Sequence, residues 1–340
     1  MQRDNAFVLN WSIWQSDPAG WDAGLMQFPD STVYQSHGWG EHRRRSGWHP
    51  QRLVATEHGQ TVAVAQVLIR KFPLNVALAW VPSGPVGPVE AWGVPFRAAI
   101  REAIGVRQLY CRLNSLREYA ETDAQAMLSA GWNRPRHPML SGKSILLSLD
   151  EGEDDWLRSI DAKHRYYVRK SAGAALTWKH GNTAALRRDL ETLTRKLSEE
   201  KSMDLHGRDA GALEILGSSM PGAVQILVGY LDGEPVTGCL VLVHNTKAHY
   251  EAAATVGRGR DVSAAYCMFA RLRGILREQK ILQLDFGGIN PESDKARGVD
   301  HFKSGFGGRP VRYLGEWDWA ASPLLRFAAN YMIKRRARGI

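Results

Sequence analysis

The sequence predicts an α+β protein built from two tandem units, each with a mixed sheet. Two observations carry that reading. A length of 340 residues exceeds one small core and suits two domains of about 150–170 residues each. In addition, Leu53–Val62 (LVATEHGQTV) lies over Leu227–Val236 (LVGYLDGEPV) at an offset of 174. Each segment is strand, glycine turn, strand, which is a hairpin signature. Each runs on into an apolar strand, Ala63–Ile69 and Thr237–Val243. The echo resumes after a helical stretch (Phe96–Ala103 and Ala264–Gln279), where Gln108-Leu109 matches Gln283-Leu284 at an offset of 175. Agreement of the two offsets within one residue points to a duplication.

Each half therefore reads helix-rich start, antiparallel strands, helix, further strand. That order gives a mixed sheet and not an alternating doubly wound one. Among folds with this order, the GNAT-type N-acetyltransferase fold fits. The acidic, glycine-containing stretch Asp150–Asp155 before Trp156 sets the expected division: 1–150 and 151–319. Asn182–Ser219 holds ordinary helices with no coiled-coil insertion. Ser322-Pro323 opens a helical pattern through Lys334.

Composition narrows the chemistry. The hydrophobic fraction of 44% and charged fraction of 23% are those of a soluble globular protein. The net charge of +9 favours polyanionic partners. It is spread over His42–Arg45, Lys163–Lys170, Arg258–Arg260 and Lys334–Arg338, which argues against a single basic tail. Cys111, Cys239 and Cys267 lack metal-ligand spacing and read as reduced core residues. The start Met1-Gln2-Arg3-Asp4 has no long apolar segment behind it, and no run approaches the ~20 residues of a membrane span. The expectation is a cytoplasmic monomer with no metal.

The densest motif comes late. Leu284-Asp285-Phe286-Gly287-Gly288-Ile289 is followed by His301-Phe302-Lys303-Ser304-Gly305-Phe306-Gly307-Gly308. Glycines expose backbone N–H groups and let a ligand come close. Lys303, between Phe302 and Phe306, is the first candidate for a catalytic cation. Asp285 ends an apolar strand. It could orient or deprotonate an amine, or cap the Gly287-Gly288 turn. Tyr250 and Glu251 lie on the strand His249–Ala253 and are candidates to line a cleft. The first-half counterpart, Leu109–Asn114, lacks the glycines, so the reacting centre is assigned to the second half.

These residues carry a family resemblance. Tyr34-Gln35-Ser36-His37-Gly38-Trp39-Gly40, Trp80-Val81-Pro82-Ser83-Gly84-Pro85-Val86, the basic segment Lys163–Ser171 and, most specifically, Asp285–Gly288 and Phe302–Gly308 resemble the Fem family of aminoacyl-tRNA-dependent transferases. Members of that family build peptide bridges on peptidoglycan precursors. The resemblance spans nearly the whole chain and implies two acetyltransferase-like domains of the insertion-free kind, with the C-terminal helix at 320–340 completing the first. It also implies an aminoacyl-tRNA donor with no cofactor, a nucleotide- or lipid-linked acceptor, and direct attack of an amine on the ester without a covalent intermediate. On this resemblance Arg43 and Arg208 would contact the acceptor, with Tyr250, Phe302, Gly287 and Gly288 around it. Arg165, Arg169 and Lys170 would meet the tRNA backbone.

Two other readings stay open. One is an acyl-CoA-dependent N-acyltransferase of an amino sugar in polysaccharide assembly. Its pyrophosphate turn would fall at Arg260-Asp261-Val262-Ser263-Ala264-Ala265, where Ser263 replaces the first glycine and degrades the nest. The other is a non-catalytic RNA- or membrane-binding protein. The basic helix Leu324–Arg338 could lie on the inner face of an anionic membrane, although a helix of this kind is expected to pack on the fold and expose its arginines.

Overall fold

The computed structural model describes residues 9–201, 210–292 and 297–338. The chain divides into two compact units. The first holds residues up to Gly142 together with Arg312–Gly339, and the second holds Lys143–Val311.

In the first unit the chain runs β1 (Asn10–Ile13), α1 (Pro18–Leu25), α2 (His37–Arg44), β2 (His49–Glu57), β3 (Gln60–Phe72) and β4 (Val76–Val81). It continues through α3 (Val94–Ile104), β5 (Gln108–Glu118) and α4 (Glu121–Ser129). Alternation along β2 and β3 separates two faces, as the period of two requires. Leu53, Ala55, Ala63, Ala65 and Val67 join Phe96, Ile100 and Met127 under α3 and α4. Val54 and Val64 meet Trp21 and Leu25 of α1 on the other face.

The second unit runs β6 (Lys143–Ser148), α5 (Glu153–Ser159), α6 (Ala162–Ala172), β7 (Leu176–Gly181), α7 (Ala184–Lys201) and α8 (Ala210–Ser219). Then come β8 (Val224–Leu231), β9 (Glu234–His244), β10 (Lys247–Thr255), α9 (Arg258–Asp261), α10 (Ala264–Glu278), β11 (Gln283–Asp285) and α11 (Arg297–Ser304). Leu227, Cys239, Val241, Ala248 and Leu284 point to Met268, Phe269, Leu272 and Leu276 of α10. The final elements are β12 (Arg309–Ala320) and α12 (Pro323–Arg338).

The sheet orders express the duplication. The first unit is ordered β1-β2-β3-β4-β5-β12 and the second β6-β11-β10-β9-β8-β7. Among these described strands each order has one parallel pair, β4 with β5 and β10 with β11, and its other reported pairs are antiparallel. Gln108 opposes Val76, the first residue of β4, and Gln283 opposes Lys247, the first residue of β10. The α+β fold with mixed sheets is as the sequence predicts.

The division differs from the expected 150/151. β6 pairs with β11 through Gln283–Ser148, Leu284–Leu147 and Asp285–Leu146, so it belongs to the second unit. The acidic stretch is no linker: Glu153, Asp154 and Asp155 form the first turn of α5, where carboxylates favour a helix N-terminus. At the other end, the first unit takes residues from Arg312 onward and not only the final helix.

Candidate functional site

The duplicated strands differ in length. β5 runs for 11 residues, whereas β11 stops after 3. Two residues beyond its end Gly287 takes φ +77°, a conformation side-chain-bearing residues avoid. A Cβ there would also lie 3.0 Å from the Tyr250 carbonyl oxygen. The strand therefore ends where its counterpart continues, and β6, β10 and α11 supply the residues around the turn.

Asp285, buried at the end of β11, is held from three sides. The Ser144 hydroxyl and the Gly287 amide (2.9 Å) donate to its Oδ1, and His249 Nδ1 stands 3.5 Å from Oδ2. The turn-capping role is thus visible in the geometry. The Ser144 Oγ also lies 2.9 Å from the Gly287 carbonyl oxygen. Ser144 and His249 escaped the sequence reading. No motif marks Ser144, while His249 had a signal in its alternation with Tyr250 on β10.

Lys303 lies in the last turn of α11 and not in a glycine loop. Its Nζ donates to the Gly288 carbonyl at 2.7 Å and lies 3.6 Å from where a Cβ on Gly287 would be. Burial lowers its pKa, opposed by the carboxylates of Asp300 and Asp285. The two phenylalanines are held by other rings. Phe306 is fully buried, 4.3 Å from Phe269, and half-buried Phe302 packs on Tyr266 at 5.2 Å. They fix the helix from beneath.

β10 carries a bulge between Tyr250 and Ala252, and Glu251 sits in it. Bulges re-aim side chains and recur beside active sites. Burial, with a further contribution from the negative charge of Asp285, raises the Glu251 pKa to about 7. Tyr250 faces into the aromatic cluster, 5.2 Å from Phe286. Its buried hydroxyl has no partner among the described residues, and burial pushes its pKa well above the ordinary value. The site therefore offers a cation on a glycine turn, a fixed carboxylate and a second carboxyl that titrates near neutrality.

The family model for FemAB matches residues 228–334, a span containing β10, the glycine turn and α11. Over this segment the chain is similar to the FemAB family. FemX shares 18% identity with a TM-score of 0.80, covering 93% of this chain and 99% of its own. A tandem GNAT protein from the clavulanic acid biosynthesis pathway has a TM-score of 0.59 at 13% identity, covering 93% and 99%. L-PGS from Bacillus licheniformis has a TM-score of 0.52 at 13% identity, covering 93% and 97%. At these identities the likeness shows the fold, which is the tandem GNAT-type arrangement. No curated protein sequence matches the chain.

The remaining candidates fall in different places. Arg43 is on α2 in the first unit, its guanidinium 5.5 Å from the Trp80 ring centre. Arg208 lies outside the described residues. On α6, Arg165 is tied to the end of α5, donating to the carbonyls of Leu157 and Arg158 at 3.0 and 3.1 Å, while Arg169 and Lys170 are exposed. The same helix carries His164, fully buried, whose Nε2 lies 3.1 Å from the Phe302 carbonyl. A Cβ on Gly305 would fall 2.0 Å from that ring. His164 thus locks the end of α11, a function its position in a basic run concealed.

Part of the turn where a coenzyme A pyrophosphate would sit is bonded to itself. The amides of Gly259, Arg260, Val262 and Ser263 donate to Val256, Gly257, Arg258 and Arg260. Arg260 also donates to the Thr255 carbonyl at 3.0 Å and pairs with Glu200. The sequence motifs of the first unit prove to be one structural lock. Fully buried Gln35 donates to the Pro82 carbonyl at 2.6 Å and accepts from the Gln66 amide at 2.6 Å. Gly84 approaches so closely that a Cβ would meet the Gln35 side chain at 2.6 Å. The three cysteines are buried, and burial raises the Cys111 and Cys239 thiols to about 12. Thiols so raised are poor nucleophiles.

Proposed function

We propose that the protein is an aminoacyltransferase that moves an amino acid from aminoacyl-tRNA to an amine of a nucleotide- or lipid-linked peptidoglycan precursor. The observation that carries this reading is the Lys303 ammonium held at the Gly288 carbonyl, 2.7 Å away, within the FemAB segment. The acceptor nitrogen attacks the ester carbonyl carbon, and the bond to the ribose oxygen breaks as the amide forms. The ester is already activated, so the reaction needs orientation, oxyanion stabilisation and proton removal. Lys303 would stabilise the developing oxyanion or the departing ribose oxygen. Glu251, raised to about 7, would take the amine proton, and Asp285 would hold the turn. Exposed Arg169 and Lys170 offer contacts to the tRNA backbone, with Arg43 a contact for acceptor phosphate. The self-bonded turn at 256–263 favours this donor over acyl-CoA.

The test supplies the protein with charged tRNA pools or acyl-CoA, together with amine-bearing envelope precursors, and reads product mass. Product is expected with charged tRNA and lost after ribonuclease treatment. A product formed only from acyl-CoA would overturn the reading. Lys303→Ala is expected to lower turnover by about 10²–10³-fold, as loss of one oxyanion donor does.

A further inference from the structure

Helix α12 is oriented against the usual rule for a surface helix, which buries its apolar stripe and shows water its polar one. Its inward side sets the polar Arg326 and Asn330 beside buried Ala329. Fully buried Asp318 accepts from Arg326 Nε and Asn330 Nδ2, both at 2.8 Å, and from the Tyr110 hydroxyl at 3.1 Å. Its outward side is apolar. Leu324 is 77% exposed, Phe327 58%, Tyr331 50% and Met332 58%, and their spacing places them along one stripe. The Phe327 and Tyr331 rings stack at 6.5 Å, with Arg335 5.6 Å over Tyr331. The helix has no acidic residue, and its sequence ends Lys334-Arg335-Arg336-Ala337-Arg338.

A loop of the same unit meets the inward side of the helix. The Arg134 carbonyl accepts from Arg326 Nη2 at 2.9 Å. The amides of Met139 and Leu140 donate to Glu316 at 2.7 and 2.6 Å, which leaves their side chains 54% and 53% exposed.

We propose that the outer face of α12 docks the protein on an anionic phospholipid bilayer. Aromatic and aliphatic side chains flanked by cations are what such a surface takes up. A second copy of the chain would present the same helix face, which has no acidic residue to meet Arg335. The proposal is independent of the aminoacyltransferase reading, since binding needs no substrate.

The test is flotation of the full chain with vesicles of phosphatidylcholine alone or mixed with phosphatidylglycerol. Binding is expected only to the mixed vesicles and is expected to weaken with salt. Phe327→Ser combined with Tyr331→Ser should lower partitioning by about tenfold or more, and Arg335→Gln by about fivefold. Leu324→Gln, at a highly exposed position, gives a second apolar probe, and thermal melts verify that each variant folds. Equal binding to neutral vesicles, or unchanged binding by the folded variants, would overturn the proposal. So would a parent dimer that becomes monomeric in the double variant while neither binds vesicles.

Discussion

At the scale of single side chains the candidate site separates two carboxyls that the sequence places 34 positions apart in the same half. Asp285 is committed to Ser144, Gly287 and His249, which suits a group that holds shape. Glu251 sits in a bulge with its pKa raised to about 7 from an ordinary 4.5, which suits a group that takes a proton at working pH. The ionised form is required of a base, so the rate should rise with pH through about 7. Glu251→Gln should remove that limb and lower the rate by about 10²-fold or more. The stability sign runs the other way. A carboxyl whose folded pKa is raised contributes fully below about 4.5 and loses that contribution as pH rises through about 7. The Gln variant should therefore melt higher than the parent at pH 8 while turning over more slowly. A pH limb that persists in the variant would assign the titration to another group, with Lys303, itself lowered by burial, the next to examine.

At the scale of elements the decisive event is the early end of β11 at Asp285 against the continuous β5. The glycines that cause it are legible in the sequence, as are the hairpins, the helices beneath them and the register of the repeat. What was hidden is the support. His164 reads as one cation in a basic run, yet it is buried against Gly305, and the Asp161 amide donates to the Gly305 carbonyl at 3.0 Å. Contacts between residues 141 positions apart, such as His164 with Gly305 or Ser144 with Asp285, leave no periodicity to read. The lock makes a prediction. A Cβ on Gly305 would lie 2.0 Å from a ring that is fully buried, so Gly305→Ala should cost about 2 kcal/mol or more. That is a fall in melting temperature of about 4–8 °C for a unit of this size. Adding His164→Ala should recover part of that loss, because the clash is removed. If the two losses simply add, the ring is not what excludes a side chain at 305.

At the scale of the whole molecule the chain returns to its first unit after completing its second, since residues from Arg312 onward belong with those up to Gly142. The sequence alone assigns only the terminal helix to that return. The strand before it was missed because aromatic Trp317 and Trp319 look like any buried strand, and nothing in them names the partner. β12 pairs with β5 from Tyr313–Glu118 to Ala320–Tyr110. It brings Glu316 to Arg112 Nε at 2.7 Å, with the two side chains only 5% and 3% exposed. It also brings Asp318 to Tyr110, Arg326 and Asn330. A chain ending at Val311 would leave the Arg112 charge buried without its carboxylate, a loss of about 3–5 kcal/mol, and would strip β5 of one neighbour. Against a domain stability of about 5–15 kcal/mol, that should abolish the first unit's folding. The second unit keeps every pairing from β6 to β11. Calorimetry of the truncated chain should therefore show one cooperative transition, with roughly half of the full chain's unfolding enthalpy, and hydrogen exchange should find protection only within 143–311. Protection of β2 to β5 equal to that in the full chain would show that the first unit stands without its returning strand.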